Sequence, residues 1–164
     1  MPGGVSTPVR VLGVDPGLHI TGYGVLEMIG KRIRLIEAGV VKSRAETLEG
    51  RVRDIFTGVR EVIEKAQPGS LALEALYSHY KRPMTAVLMG HARGAICLAA
   101  ALSGLPVISY PSTTVKKTLT GHGRAPKDQI QRAIQYELGL KSYPNPPDVA
   151  DALAIALCHI YTFL

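Results

Sequence analysis

Cysteine is scarce in this chain: Cys97 and Cys158 are the only two, both in apolar stretches with helical patterning. Two isolated thiols build neither a disulfide framework nor a cysteine-based zinc site. Both are expected to be buried, and a cytosolic setting follows. Long apolar runs are also missing. None approaches the roughly 20 residues of a transmembrane helix, so no membrane partner is expected. The first eight residues lack the charged and apolar regions of a signal peptide. They are expected to form a disordered tail ahead of a single domain over residues 9–164. Internal repeats, low-complexity tracts and domain linkers are absent, and His79, His91, His122 and His159 fall at no metal-ligand spacing. Acid is the last shortage: 13 Asp and Glu face 19 Lys and Arg, for a net charge of +6. Such a balance favours polyanionic partners, nucleic acid first and acidic membrane second.

What is present is ordinary globular material, with 46% apolar and 20% charged residues in 164, enough for a real core. Val9 to Val14 reads as a buried strand broken by Asp15-Pro16-Gly17, followed by strands from Ile20 to Met28 and from Ile33 to Val41. From Glu46 the apolar period becomes helical, through Leu48, Val52, Ile55, Val59, Val62 and Ala66, and Pro68-Gly69 ends it. Ser70 to Leu76 is a near-continuous apolar strand, expected to be central. Pro83 to Ser103 is a helix so rich in Ala and Gly that it must lie in the core or pack against a second copy. A short strand at Leu105–Ile108 and a short helix at Pro111–Leu119 follow. Next come a basic loop at Gly121–Arg124, a helix at Pro126–Leu138 and a last helix from Asp148 to Leu164. The last helix should bury Leu153, Leu157, Ile160 and Leu164. The order βββαβαβ followed by helices implies one α/β domain with a mixed sheet.

Against this background four carboxylates are out of place. Asp15 and Glu74 end apolar strands, and Asp148 and Asp151 open the last helix. Strand carboxyl ends are where open α/β sheets bind ligands. Three residues apart on a helix, Asp148 and Asp151 share a face in its first turn, where the dipole favours anions. Each acid has an ordinary alternative: a turn-forming Asp at Asp15, an ion pair with a buried Arg at Glu74, helix-start acids at Asp148 and Asp151. Converged in one pocket, they would need cations. Carboxylate oxygens suit Mg²⁺ or Mn²⁺, and paired metals hydrolyse phosphodiesters. An acidic metal site in a basic chain points to a nuclease. Lys81, Arg82, Lys116, Lys117, Arg124 and Lys127 are the candidate DNA contacts. Tyr77 could stack on an unpaired base, or be core.

These residues carry a resemblance. Gly13-Val14-Asp15-Pro16-Gly17 with Thr21-Gly22-Tyr23-Gly24, Leu73-Glu74, Gly90-His91-Ala92-Arg93-Gly94 and the run Asp148 to Ala156 resemble the RuvC Holliday junction resolvases, in register from about Val9 to His159. The resemblance implies a ribonuclease-H-like fold, with a mixed five-stranded sheet and helices on both faces. It implies a homodimer that cuts two opposed strands of four-way junction DNA with Mg²⁺, two ions per active site and Mn²⁺ as a substitute. Asp15, Glu74, Asp148 and Asp151 would be the catalytic, metal-binding acids. Lys116 and Lys127 would serve catalysis at the DNA, and Tyr77 would contact the junction near its exchange point. Asp148 stands where some members carry His. The Ala-rich helix would be part of the dimer interface, and the helicase motor of branch migration, of the RuvA and RuvB type, a further partner. Two other readings stay open. Asp15-x-Gly17 with Thr21-Gly22 also resembles the first phosphate loop of actin-like ATPases, though the chain is too short for two such lobes and leaves Asp148 and Asp151 without a role. A catalytically silent junction-binding protein is the other, and the complete acidic set argues against it.

Overall fold

A computed structural model of the chain describes residues 6–76 and 82–164. Its order is β1 (Val9–Asp15), β2 (Ile20–Ile29), β3 (Arg32–Lys42), α1 (Leu48–Ala66), β4 (Ser70–Glu74), α2 (Pro83–Leu102), β5 (Val107–Tyr110), α3 (Ser112–Thr120), α4 (Lys127–Leu138) and α5 (Pro147–Phe163). The five strands form one mixed sheet in the order β3-β2-β1-β4-β5. β1–β2 and β2–β3 are antiparallel, whereas β1–β4 and β4–β5 are parallel. Helices cover both faces, as the ribonuclease-H-like expectation required.

Side-chain alternation explains how one strand serves two cores. Val11 faces α3, α4 and α5, joining Ala72, Val115, Ile134 and the buried side of α5. Leu12 and Val14 face the other way, joining Leu71, Leu73, Ile55, Val59 and Ile96 beneath α1 and α2. The middle strand β1 is therefore buried on both sides from Val11 to Val14, which is why that stretch is apolar without alternation.

The α5 side is unusually close-packed. A Cβ on Gly13 would lie 2.1 Å from the carbonyl oxygen of Ala152, and one on Gly24 would lie 2.4 Å from Leu153 Cδ2. Glycines on β1 and β2 thus let the helix lie almost on the sheet backbone. Ala152 and Ala156, both fully buried, complete the contact from the helix side.

Several expectations need correction. β4 stops at Glu74 rather than Leu76, and β5 runs over Val107–Tyr110 rather than Leu105–Ile108, because its parallel pairing places Val107 opposite Leu71 and Tyr110 opposite Glu74. α5 begins at Pro147, with proline at its first turn, so Asp148 lies in the first turn and Asp151 in the second. Leu153, Leu157 and Ile160 are buried, but Leu164 lies beyond the helix end and is 54% exposed. Cys158 is buried as expected, whereas Cys97 is only half-buried. The helix α2 buries one side only, through Ala92, Ala95, Ile96, Ala99 and Ala100. Its outer face leaves Met84 66% and Leu102 68% exposed. By length and composition alone α2 could also cross a membrane, against the expectation that no stretch of the chain would qualify. It packs instead on α1, and Arg93 at its middle bonds to the ends of two strands.

Candidate active site

The same alternation that sorts the core places the acids. Gly13 faces α5, so Asp15, two residues on, projects to the α5 side at the carboxyl end of β1. Ala72 faces α5, so Glu74 does likewise at the end of β4. The parallel register sets Val14 beside Leu73, making Asp15 and Glu74 neighbours. The last contribution comes from α5. Asp15 pairs with Gly22 across β1 and β2, and a Cβ on Gly22 would lie 2.2 Å from the carbonyl oxygen of Asp148. The first turns of α5 therefore sit directly on the strand beside Asp15.

Electrostatics registers the convergence. Burial, then the charges of Asp151, Asp148 and Glu74, push the Asp15 carboxyl up to about 7, against some relief from Lys127. Burial, with Asp151 behind it, also raises Glu74, opposed by Lys116 and Arg93. Burial raises Asp151 too, Asp148 adds to it, and Lys127 and Lys116 oppose. The pocket holds more negative charge than its own lysines offset. All its donors are hard oxygens, the set that fits Mg²⁺ or Mn²⁺. Among the described residues no three His, Cys, Asp or Glu side chains already stand at metal-binding spacing, so holding an ion requires these carboxylates to draw in.

Two clefts open from the acids. One, of about 320 Å³, runs between α3, α4 and α5 and is bordered by Glu74, Asp151, Lys116 and Lys127. The other, of about 250 Å³, is lined by Asp15, Glu74, Met89, Arg93 and Ser112. Lys116 and Lys127 are thus brought to the acids. Lys117, one residue on and about 100° round the helix, borders neither cleft among the described residues, and nor do Arg124 and Arg82. The expectations for Tyr77 and Lys81 fall outside the described residues.

Two supports went unassigned in the sequence. Arg93 donates to the backbone oxygen of Glu74, and to Ser109 Oγ at 3.2 Å. The arginine beside Glu74 therefore binds the strand end rather than pairing with the carboxylate. Its place in the Gly90–Gly94 run was the available signal. Thr21, fully buried, donates its hydroxyl to Gly17 O at 2.8 Å and accepts from Gly17 N at 3.3 Å, fixing the loop that follows Asp15. His159 lies away from the acids and bonds to Tyr110 Oη at 2.6 Å and Ser70 Oγ at 3.0 Å. It is a buried, hydrogen-bonded residue of the core side of α5.

Known proteins share this architecture. The family model for crossover junction endodeoxyribonuclease RuvC matches residues 11–159. The RuvC of Rhodopirellula baltica is 57% identical over 92% of this chain and 85% of its own. That of Moorella thermoacetica is 46% identical over 91% of this chain and 89% of its own. The structure of Thermus thermophilus RuvC superposes with a TM-score of 0.85 at 39% identity, covering 93% of this chain and 94% of that one. The same protein in complex with a Holliday junction substrate gives 0.87 at 38% identity, with 93% of each chain covered. With its sheet order, its acid-bearing edge and these matches taken together, the chain belongs to the RuvC family of crossover junction endodeoxyribonucleases.

Proposed function

We propose that this chain, acting in the cytoplasm as a single nuclease domain over residues 9–164, resolves four-way DNA junctions in homologous recombination and repair by paired symmetric nicks. The observation that carries the reading is the cluster of Asp15, Glu74, Asp148 and Asp151 on one sheet edge, bordered by Lys116 and Lys127. These four acids would hold two Mg²⁺ ions, with Mn²⁺ as a substitute. When bound, the metals supply an activated water and neutralise the leaving oxygen. The protein's own part is positional. Arg93 and Thr21 hold the two strand ends that carry Glu74 and Asp15. Lys116 and Lys127 set positive charge where the scissile phosphate must sit. Arg82, Lys117 and Arg124, on flanking segments, extend the track for the DNA backbone. Lys81 and Tyr77 are proposed to join them, Tyr77 at the junction's exchange point. The motor of branch migration, of the RuvA and RuvB type, is the proposed partner.

The deciding experiment incubates the protein with a synthetic mobile four-way junction and with linear duplex, each with and without Mg²⁺. Paired nicks in the junction alone, and only with Mg²⁺, are expected. Equal cutting of duplex, or cutting in chelator, would refute the reading.

Replacing Lys116 or Lys127 by Ala should slow cutting by at least ~10², the order of one charge-stabilising contact, while moving Tm by no more than a few degrees. A variant that simply melts would make the lysine structural.

Homodimerisation is supported by the outer face of α2. Val87 and Leu98 are 56% and 52% exposed. Between them a Cβ added to Gly90 or Gly94 would meet nothing within 4 Å. That leaves an apolar stripe with a shallow centre, suited to close approach by a second copy. Leu98→Glu should leave the fold intact and give a monomer in sedimentation velocity. An unchanged dimer would remove α2 from the interface.

A further inference from the structure

The cleft between α3, α4 and α5 has a lining that the acids and lysines at its mouth do not account for. Behind Lys116 and Lys127 its wall is aliphatic: Val115, Ala125, Ile130, Ala154 and Ile155. Most of these belong to the core, with Val115 and Ile155 buried and Ile130 packed against them. Two neutral polar side chains interrupt the wall, Ser112 from the start of α3 and Gln131 from α4. Both are half-buried, and among the described residues neither side chain donates or accepts a hydrogen bond within the protein.

Such a lining suits one kind of occupant. A phosphate pushed past the lysines would surrender its hydration against aliphatic carbon and gain no charge partner. A nucleobase has the opposite needs. Its faces are apolar, and its edge presents a few donors and acceptors. At about 320 Å³ the cleft is near the lower end of small-ligand pockets, with room for one flat heterocycle. It is continuous with the acids, since Glu74 and Asp151 form part of its border. A phosphate held at those acids would place an adjoining nucleotide at its entrance.

We propose that this cleft receives a nucleobase adjacent to the scissile phosphate, and that Gln131, aided by Ser112, reads its edge and so sets the sequence preference of cleavage. The inference rests on the junction-cutting reading above. A carboxamide carries both a donor and an acceptor and can pair bidentately with a base edge, where one good pair discriminates by ~10-fold or more against the wrong base. Ser112 contributes one further hydroxyl. Gln131 is here a specificity residue. It carries no charge to the reaction, so its loss should redistribute cutting among sequences rather than abolish it.

The test is a set of four-way junctions, with each base in turn on either side of the cut phosphate, digested in Mg²⁺ by wild type, Gln131→Ala and Gln131→Glu. Wild type should favour its best base at one position by at least ~10-fold. Gln131→Ala should compress that to within about 3-fold. Gln131→Glu, which can only accept, should change the ranking. Junction affinity without divalent metal should stay within about 2-fold, because phosphate contacts dominate it. Should Gln131→Ala not fold, Ser112→Ala must narrow the preference in its place. A wild type that cuts all bases equally, or variants that keep its ranking, would overturn the inference and leave the junction-cutting reading standing. A wild type that cuts no junction would bring down both.

Discussion

Asp15→Asn will bind junction DNA as wild type does, fail to cut it, and unfold at a higher temperature than wild type in metal-free buffer at pH 8. The first two effects follow from the site. Asparagine keeps the shape of the side chain and the basic surface, but offers a metal one weaker oxygen. The third follows from the sign of the linkage. In the folded protein the Asp15 carboxyl titrates near 7, against an ordinary value of 3.8. The stability tied to its protonated form is complete below about pH 4 and is lost as pH rises through 7. Above that, the folded state carries an ionised Asp15 facing three other acids. Asparagine removes that penalty. A shift of this size sets a ceiling of about 4 kcal/mol. After allowance for solvent near the site and for burying an amide, about 1–3 kcal/mol should remain, or several degrees in Tm for a chain of this length. Thermal scans from pH 4 to 8 should show wild type losing stability faster than the variant. Mg²⁺ should then stabilise wild type at pH 8 and leave the variant nearly unmoved. Parallel pH curves, or wild-type cutting by the variant, would refute the assignment.

Gly22→Val should be the most damaging single change to the site that replaces none of its acids. The new Cβ alone would lie 2.2 Å from Asp148 O and 2.9 Å from Asp148 Cβ. Both belong to a helix pinned along its length by close packing, so neither gives way cheaply. The start of α5 must lift from β2, at about 1–3 kcal/mol or more, carrying Asp148 and Asp151 away from Asp15 and Glu74. Cutting should vanish well below the unfolding temperature. Gly13→Val, aimed at Ala152 O at 2.1 Å, strikes the helix deeper in and should be chiefly a folding defect. If Gly22→Val retained full cutting, the close seat of α5 would be irrelevant to the chemistry.

The sequence revealed most where the physics is local. Apolar runs and a change from strand to helical period gave every element. The four acids stood out because their neighbours are hydrophobic. Strand alternation would even have told that Asp15 and Glu74 face the same side, given Gly13 and Ala72. What stayed hidden depends on contacts between distant segments. The two-residue offset of β5 is set by its partner β4, not by its own composition. Cys97 and Leu164 belong to stretches with apolar patterns, but exposure is decided by what the fold lays over them. Arg93 was visible in a motif, yet its bond to the end of β4 could be known only once α2 was placed. The cleft holding Ser112 and Gln131 exists only where three helices meet.

The acids come from β1, β4 and α5, the first and last of these near opposite ends of the described residues, and α5 lies across β1, β2, β3 and β4. Its seat is built from strands distant in the chain, so it depends on long-range pairings that a helix docked on local neighbours does not need. Without that seat, Asp148 and Asp151 would not stand beside Asp15 and Glu74. For an enzyme that severs DNA this ties the ability to cut to the integrity of the fold: the acid set is complete only while α5 is seated on the paired strands.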